Sequence, residues 1–178
     1  VVPNGVDARF SPGGEKAVAP TILAAGRFMP PKRFDVLLDS VAKVRRHVPN
    51  LRVWIAGEGP LRADLEVQAR RLGGGEWIEF LGRVSDNDLV DRYRAAWIVA
   101  STSVREGWGL TLTEGAACGT PGVATRIPGH VDAVVDGSTG LLATGTQELA
   151  DAMVRVLTDD ELRARLTEGA LARAPRLT

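Results

Sequence analysis

The sequence has little cysteine or histidine, no excess of charge of either sign, and no long apolar run. Its 178 residues include one cysteine and two histidines, so an intrachain disulfide is excluded and a cysteine–histidine metal site is not expected. Lysine and arginine number 22, as do aspartate and glutamate, which leaves no long-range field to attract nucleic acid or anionic lipid. No apolar run approaches the roughly 20 residues of a membrane-spanning helix. These absences favour a globular protein of a reducing, cytoplasmic compartment.

The length and composition are those of one ordinary domain. A hydrophobic fraction of 44% and a charged fraction of 25% are typical of globular proteins. A chain of this length can bury a core without disulfides or metal, so we treat residues 1–178 as a single domain. The first residues contain neither an initiator methionine nor the pattern of a signal peptide. We therefore expect them to come from the middle of a longer chain.

Short runs typical of β-strands alternate with amphipathic runs along the sequence. The strand pattern occurs six times, at 21–25, 52–56, 77–81, 97–100, 122–125 and 140–143. Between these runs, apolar residues recur at helical spacing, and Ser85 with Asp88 forms a candidate capping box for one of the helices. This alternation predicts a single Rossmann-like three-layer α/β/α domain with a parallel sheet of about six strands.

The loop after the first strand carries cations. In parallel sheets of this kind ligands bind at the carboxyl ends of the strands. Gly26 and Arg27 directly follow the first strand, and Lys32 and Arg33 come shortly after them. Cations at one strand end, next to a helix start, would neutralise a diphosphate. The alternative is a solvated basic loop, which composition alone does not exclude.

The segment at 106–114, which reads EGWGLTLTE, follows the fourth strand. Its glycines would let the backbone approach a ligand, and a helix start near Leu110 would offer free amides to an anion. A carboxylate one turn into that helix, Glu114, could accept hydrogen bonds from two vicinal ribose hydroxyls. The alternative is that Glu106 and Glu114 are exposed charges around a turn.

Other segments give weaker indications. The sequence at 57–60, Gly-Glu-Gly-Pro, is interpreted as a structural turn into the next helix. Arg83 and Val84 follow the third strand, where a nucleotide base could stack. Trp108 differs from the other tryptophans because it lies between two glycines in a loop, and His130 follows a Pro-Gly pair in a loop where it could touch a ligand.

In this order, the segments resemble the C-terminal, donor-binding domain of the retaining GT-B glycosyltransferases, known as glycosyl transferases group 1 or family 4. The Glu-x7-Glu motif of that family matches residues 106–114. The resemblance extends over almost the whole chain. Its other segments are VPNGVD at 2–7, GR at 26–27 with Lys32, AGEGP at 56–60, FLG at 80–82, ACGTP at 117–121 and DGSTGLL at 136–142.

The resemblance implies roles for individual residues. Arg27 and Lys32 would bind the donor diphosphate and stabilise it as the leaving group. Glu114 would bind the ribose, and Glu106 would face the hydroxyls of the transferred sugar as a catalytic residue without being a nucleophile. The remaining donor-binding positions that it implies are Gly26, Arg83, Val84, Gly107, Trp108, Gly109, Leu110 and Thr111.

The resemblance also implies partners. The donor would be a UDP- or GDP-sugar, no metal or other cofactor would be needed, and the acceptor would be bound by an N-terminal domain that this chain lacks. We therefore expect the isolated chain to bind nucleotide weakly and to transfer nothing. The loop at 126–130 reads Arg-Ile-Pro-Gly-His where the family often has a Gly-Gly pair, so the identity of the sugar stays open.

Three other functions are alternatives to that of a donor-binding domain in a retaining glycosyltransferase. A GT-B-like module that binds nucleotide or sugar without catalysis, and a glucosyltransferase of the glycogen-synthase type, would share most of these features. A nicotinamide-dependent dehydrogenase would need Gly-x-Gly-x-x-Gly after the first strand. Residues 26–31 read Gly-Arg-Phe-Met-Pro-Pro instead, which disfavours that reading.

Overall fold

A parallel sheet of six strands runs through the centre of the protein. The structure is a computed structural model that describes residues 5–177, so the first part of the segment at 2–7 lies outside the described residues. The strands are β1 (Thr21–Ala25), β2 (Arg52–Ala56), β3 (Ile78–Gly82), β4 (Ile98–Ser101), β5 (Gly122–Thr125) and β6 (Gly140–Ala143).

Helices connect the strands and cover both faces of the sheet. The helices are α1 (Phe34–Arg45), α2 (Arg62–Arg71), α3 (Asp86–Ala95), α4 (Leu110–Ala117), α5 (Pro128–Ala133), α6 (Gly145–Thr158) and α7 (Asp160–Arg173). Short 3-10 turns at Pro30–Lys32, Gly74–Glu76 and Ala174–Leu177 complete the regular structure of the described residues.

The strand order is β3-β2-β1-β4-β5-β6, which is the order of a doubly wound Rossmann sheet. After β3 the chain crosses back over β1, which therefore pairs with β2 on one side and with β4 on the other. The loops that follow β1 and β4 leave the sheet in opposite directions and open a crevice between them. Ligands of such folds bind in that crevice, so the topology predicts that these two loops contact the ligand.

Alternate residues of the strands supply the two halves of the core. Ile22 of β1 packs with α1, α2 and α6 in the larger apolar cluster. Its neighbour Leu23 points to the other face and packs with α3, α4 and α5 in a second cluster. This period of two, with apolar residues on both faces, is expected of a parallel strand covered by helices on both sides. The predicted three-layer α/β/α architecture is thus confirmed.

Two strands begin one residue later than predicted, and each is preceded by a tryptophan that has a contact outside its strand. The amide of Trp77 donates to the carbonyl of Gly74 and closes a 3-10 turn, so β3 starts at Ile78. The indole Nε1 of Trp97 donates to the carbonyl of Ala17, 2.7 Å away, and β4 starts at Ile98. Both strands also end one residue later than predicted.

The cap of α3 has the predicted residues in a modified form. Ser85 is the N-cap, and its Oγ accepts a hydrogen bond from the backbone amide of Asp88 at 3.1 Å. In the usual capping box the second side chain would reach back to the N-cap amide. Here the Asp88 carboxylate instead accepts from the Ser85 hydroxyl, 2.7 Å away. The helix following Arg83 and Val84 is therefore anchored at its first turn.

Candidate functional site

The loop after β1 is held by a buried phenylalanine that leaves its arginine exposed. Phe28 has no exposed surface and makes edge contacts with Phe34 and Phe80, at ring-centroid distances of 5.0 and 6.2 Å. Its backbone amide donates to the carbonyl of Glu58, 2.9 Å away. The side chain of Arg27, one position earlier, lies at the surface of the crevice. The exposed Arg27 is therefore carried by a loop that the buried side chain of Phe28 holds in place.

A cavity of about 490 Å³ opens at the carboxyl ends of β1, β2 and β3. Four of the predicted binding residues, Gly26, Arg27, Arg83 and Val84, line this cavity together. The prediction treated the turn at residues 57–60 as structural only, but Gly57 and Glu58 also line the cavity. Leu89 of α3 is a further lining residue that the sequence did not indicate. The volume suits a ligand of nucleotide size.

Glycines allow the walls of this cavity to approach one another. Gly57 has a φ of +140°, and a Cβ on it would lie 1.8 Å from the carbonyl oxygen of Gly26. Gly59 likewise has its α-carbon against the backbone of Phe28, where a Cβ would come within 2.6 Å. Only glycine fits such contacts. The turn after β2 therefore fixes the position of the loop that carries Arg27.

An ion pair joins the loops after β1 and β4. The ammonium of Lys32 contacts Oε1 of Glu106, and these side chains are 31% and 16% exposed. The same oxygen accepts a hydrogen bond from Ser103 Oγ at 2.7 Å. The two residues, with Ser103 between them, line a narrow recess that shares Ala25 with the larger cavity. The predicted catalytic residues Lys32 and Glu106 are thus brought together at the switch point of the sheet.

Hydrogen bonds to backbone carbonyls hold the loops after β1 and β4 together. Thr102 Oγ1 lies 3.0 and 2.8 Å from the carbonyl oxygens of Lys32 and Arg33. The amide of Val104 donates to the carbonyl of Pro31 at 2.9 Å. Arg33 adopts a left-handed conformation, with φ 49° and ψ 46°, and its carbonyl also accepts hydrogen bonds from the amides of Val36 and Leu37 in the first turn of α1. Thr102 and Ser103 were not predicted as site residues, yet they position both members of the ion pair.

His130 lies beneath the ion pair rather than in an open loop. It belongs to α5 and is fully buried. Its Nδ1 donates to the carbonyl of Thr125 at 2.8 Å, and its Nε2 accepts from Ser101 Oγ at 3.0 Å. Burial lowers the pKa of His130, and the Thr125 carbonyl offsets part of that shift. The neutral imidazole therefore joins the end of β4 to the end of β5.

A further contact links this histidine region to the carboxylate. The hydroxyl of Thr125 donates to the carbonyl of Ser103 at 2.6 Å, and Ser103 binds Glu106. Gly129 contacts the Glu106 backbone so closely that a Cβ on it would lie 2.4 Å from the Glu106 carbonyl oxygen. The position of the Glu106 backbone is consequently set by α5 as well as by β4.

The amides at the start of α4 are partly used within the protein. The helix begins at Leu110, as predicted. The Gly109 amide donates to the carbonyl of Gly129 at 3.2 Å, and the Leu110 amide donates to that of Trp108 at 2.9 Å. In the described part of the chain, the Thr111 amide has no hydrogen-bond acceptor. It is therefore the amide of this group that is free to meet a ligand.

Trp108 packs away from the cavity wall. Its ring contacts the small apolar cluster of Val6, Ala117 and Leu177. Its indole Nε1 is buried, and no acceptor for it is found among residues 5–177. Gly107, by contrast, faces open space. Trp108, which lies between two glycines, thus packs against the small apolar cluster beside α4.

Glu114 lies in the second turn of α4 and is half-buried. Its Oε2 accepts a hydrogen bond from the phenol of Tyr93 at 2.8 Å. Burial raises the pKa of Glu114, while the bond from Tyr93 lowers it. Burial and the Glu114 carboxylate raise the pKa of Tyr93, which keeps the phenol protonated and able to donate. Tyr93 is another residue that the sequence did not indicate as part of the site.

Residues 5–177 contain no cluster of three or more histidine, cysteine, aspartate or glutamate side chains that could hold a metal ion. Within the same residues no helix is both long enough and apolar enough to cross a membrane.

Solved structures of glycosyltransferases share this fold. The C-terminal domain of a glycosyl transferase group 1 family protein from Francisella tularensis has a TM-score of 0.87 at 24% identity, with 97% of each chain covered. HepE of Anabaena, solved in complex with UDP and glucose, has a TM-score of 0.81 at 27% identity. That match covers 89% of this chain and 44% of HepE. The first likeness shows the fold alone, since its sequence identity is low.

The chain is also similar in sequence to curated glycosyltransferases. The D-inositol 3-phosphate glycosyltransferase of Saccharomonospora viridis is 40% identical over 199 residues, which cover 99% of this chain and 46% of the relative. That of Stackebrandtia nassauensis is 37% identical and is covered over 45% of its length. The chain thus spans about half the length of the curated relatives it matches. Residues 8–173 match the family described as Glycosyl transferases group 1, and the chain belongs to that family.

Proposed function

We propose that this chain is the donor-binding domain of a retaining glycosyltransferase that moves a hexose from a nucleoside diphosphate sugar to an acceptor. The observation that carries the proposal is the cavity at the carboxyl ends of β1, β2 and β3, which Arg27 and Arg83 line and which adjoins the recess of the Lys32–Glu106 pair. Cations at a strand end suit a diphosphate, and the volume suits the nucleoside. The complex of HepE with UDP and glucose adds support from a related fold.

In the proposed reaction, charge develops on the departing diphosphate. Fixed cations at that position lower the barrier because they stabilise the charge without reorganising. Arg27 suits a bidentate contact to phosphate oxygens, whereas Lys32 acts as a point charge. Lys32 is paired with Glu106. A bound diphosphate would compete for the ammonium and leave Glu106 free to accept hydrogen bonds from hydroxyls of the transferred sugar.

The remaining site residues have supporting roles in this proposal. Glu114 accepts hydrogen bonds from the ribose hydroxyls, and Arg83 with Val84 contacts the base. Gly26 lets the loop approach the diphosphate. Gly107 and Trp108 frame the turn before α4, and the Thr111 amide is available to the sugar or a phosphate. The amides of Gly109 and Leu110 already donate within the protein, so they would support the ligand through the turn that they stabilise.

The chemistry proposed here needs no metal cofactor, because arginine and lysine supply the positive charge at the leaving group. Departure and attack would occur on the same face of the sugar, without a protein nucleophile, and Glu106 is assigned no nucleophilic role. The acceptor would bind to a second domain. Accordingly, this chain alone would bind nucleotide weakly and transfer no sugar. The cytoplasmic location inferred from composition stays a prediction.

Calorimetric titration with UDP, GDP and ADP tests the donor assignment. We expect one diphosphate to bind selectively, and Arg27→Ala to weaken it by roughly 10- to 100-fold, the loss typical of a charge-assisted contact. Arg70→Ala, which removes an exposed arginine from the last turn of α2, is the matched control and should bind as the wild type does. A folded wild-type chain that binds none of the three would refute the assignment for this chain.

A separate assay distinguishes an enzyme from a binding module. The non-catalytic alternative shares the cavity but predicts no sugar transfer under any condition. Transfer of the donor sugar by a two-domain protein that contains this chain, lost in Glu106→Gln and Lys32→Ala, would establish the enzyme. Retention is read from the anomeric configuration of the product by NMR.

A further inference from the structure

Tyr93 is the one tyrosine of the chain, and it is fixed in place from three sides. It has no exposed surface, and its ring makes an edge contact with Phe10 at a centroid distance of 5.8 Å. Its backbone carbonyl accepts a hydrogen bond from Thr120 Oγ1. Its phenol then reaches the Glu114 carboxylate. A side chain held in this way has little freedom, so its hydroxyl can define the position of a more mobile group.

Tyr93 contacts only one of the two carboxylate oxygens of Glu114. Tyr93 occupies Oε2 of Glu114, and no donor from residues 5–177 reaches Oε1. Glu114 is half-buried, so part of its surface is accessible. A carboxylate accepts hydrogen bonds only, and two oxygens give it about four positions for them. One oxygen therefore serves the protein, and the other is available to hydroxyl groups outside it.

The geometry of α3 connects this pair to the cavity. Leu89 lines the cavity, and Tyr93 lies four residues later, on the same side of α3. Arg83 and Val84, directly before α3, are also part of the cavity wall. Through its contact with Tyr93, the Glu114 carboxylate thus lies on the side of α3 that borders the cavity.

From these contacts we propose that Tyr93 is a positioning residue, which orients Glu114 so that its free oxygen binds the vicinal hydroxyls of a ribose. Tyr93 would thereby make the site prefer a ribonucleoside diphosphate over one whose sugar lacks those hydroxyls. The inference rests on the proposed function, because it assumes that a nucleotide occupies the cavity. It adds a residue outside the family motif as the one that sets this preference.

Tyr93 would favour ribose binding because a carboxylate that is already ordered loses less conformational entropy when the ligand binds. Without the phenol, Glu114 would lose the contact that fixes its Oε2, and its side chain would have to be ordered when the ribose binds. The raised pKa of Tyr93 keeps its proton on the oxygen throughout the neutral range, so the hydrogen bond persists there. Loss of one hydrogen bond to a charged group, and of the order it imposes, corresponds to an affinity loss of about tenfold.

The test compares UDP with 2′,3′-dideoxy-UDP by calorimetry on the wild-type chain and on Tyr93→Phe. We expect Tyr93→Phe to weaken UDP by about tenfold and dideoxy-UDP by less than about twofold, since only UDP meets Glu114. Ser40→Ala is the matched control, because it removes a fully buried hydroxyl that binds Val36 within α1. It should leave both affinities unchanged.

The outcomes separate the two proposals. If the wild type binds UDP and Tyr93→Phe binds both ligands as the wild type does, or loses both equally, the positioning role is overturned while the donor site stands. If the folded wild type binds no nucleoside diphosphate, the proposed function falls and this inference falls with it.

A second measurement needs no variant. Because the chain has a single tyrosine, ¹³Cζ labelling gives one NMR signal for Tyr93. That signal should shift when UDP saturates the protein and stay in place with dideoxy-UDP. A signal that UDP leaves unmoved at saturation would overturn the inference even if Tyr93→Phe does not fold.

Discussion

Replacing Gly57 with alanine tests whether the loop that carries Arg27 is held by backbone contact with the turn after β2. The added Cβ would lie 1.8 Å from the carbonyl oxygen of Gly26 and 2.9 Å from its carbonyl carbon. Carbon and oxygen atoms that are not bonded to each other do not approach so closely in proteins. The atoms that must give way are backbone atoms, since Gly26 also donates from its amide to Ala56 at 3.0 Å. The loop therefore has to move, and it cannot move without losing that bond.

The magnitude follows from two costs. The φ of Gly57, +140°, is one that alanine rarely adopts, which costs about 1–3 kcal/mol. Forcing the loop aside in a packed region costs typically about 1–3 kcal/mol more. We therefore expect Gly57→Ala to lower the free energy of unfolding by roughly 2–6 kcal/mol. For a domain of this size each kcal/mol corresponds to about 2–4 °C, so a loss near the middle of the range lowers the melting temperature by roughly 8–16 °C.

Gly73 provides the control, because its φ is also positive but a Cβ on it would make no close contact. Its φ is +75°, and a Cβ on it would meet no atom within 4 Å. Gly73→Ala should therefore lower the free energy of unfolding by only about 1–2 kcal/mol. Thermal melts and denaturant titrations of both variants measure the difference. Nucleotide titration of Gly57→Ala, below its melting temperature, should also show weaker binding, because Arg27 is displaced with its loop.

Equal destabilisation by the two substitutions would refute this reasoning. It would mean that the backbone conformation of Gly57 matters and that its contact with Gly26 does not. Unchanged nucleotide affinity in a destabilised Gly57→Ala would refute a narrower point, namely that the turn after β2 positions Arg27.

Two further predictions concern His130 and the cap of α3. The free energy of unfolding should fall as the pH drops through about 6.5, because the unfolded imidazole gains its proton there and the buried one, whose pKa is lowered, gains it only at lower pH. Denaturant titrations should show this component in wild type and in the exposed control His47→Gln, and not in His130→Gln; a component that survives in His130→Gln would contradict the assignment. Removing the N-cap hydroxyl in Ser85→Ala should cost about 1 kcal/mol, or roughly 2–4 °C in melting temperature, and an unchanged melting curve would exclude the cap as a source of stability.

The fold was predictable from the sequence because its signals are local. Strands β1, β2, β5 and β6 have the predicted bounds, since each is a short and largely apolar run that ends in a loop. The two strands with shifted starts are those preceded by Trp77 and Trp97. Each tryptophan makes a contact with a residue outside its strand, through its amide in one case and its indole in the other. Such contacts are not visible in a pattern of hydrophobic residues.

The candidate site was predictable where it depends on strand ends. Gly26, Arg27, Arg83 and Val84 are far apart in the sequence, yet they line one cavity because β1 and β3 end at the same edge of the sheet. The pairing of Lys32 with Glu106 follows from the same geometry, as β1 and β4 are neighbours. Parallel topology alone is enough to bring such residues near one another.

Residues whose role depends on helix packing could not be predicted. Tyr93 contacts Glu114 from a different helix, and the contact exists only because α3 and α4 are rotated so that both side chains point into the space between them. His130 was placed in a loop at a strand end. Pro128 instead starts α5, which turns the imidazole inward to Thr125 and Ser101. A single sequence gives the type of each element and leaves its rotation undetermined.

The glycine contacts explain why segments that are far apart in the sequence, such as 56–60 and 80–82, occur together in this chain. The segment at 56–60 contacts the loop after β1, because Gly57 and Gly59 lie against the backbone of residues 26–28. The segment at 80–82 joins the same group, since the Gly57 amide donates to the carbonyl of Gly82 at 2.8 Å. Gly129 meets the Glu106 backbone in the same way on the other side of the crevice. A change in one segment therefore shifts its contact partner, and the cations and carboxylates keep their positions only while these close backbone contacts are all preserved.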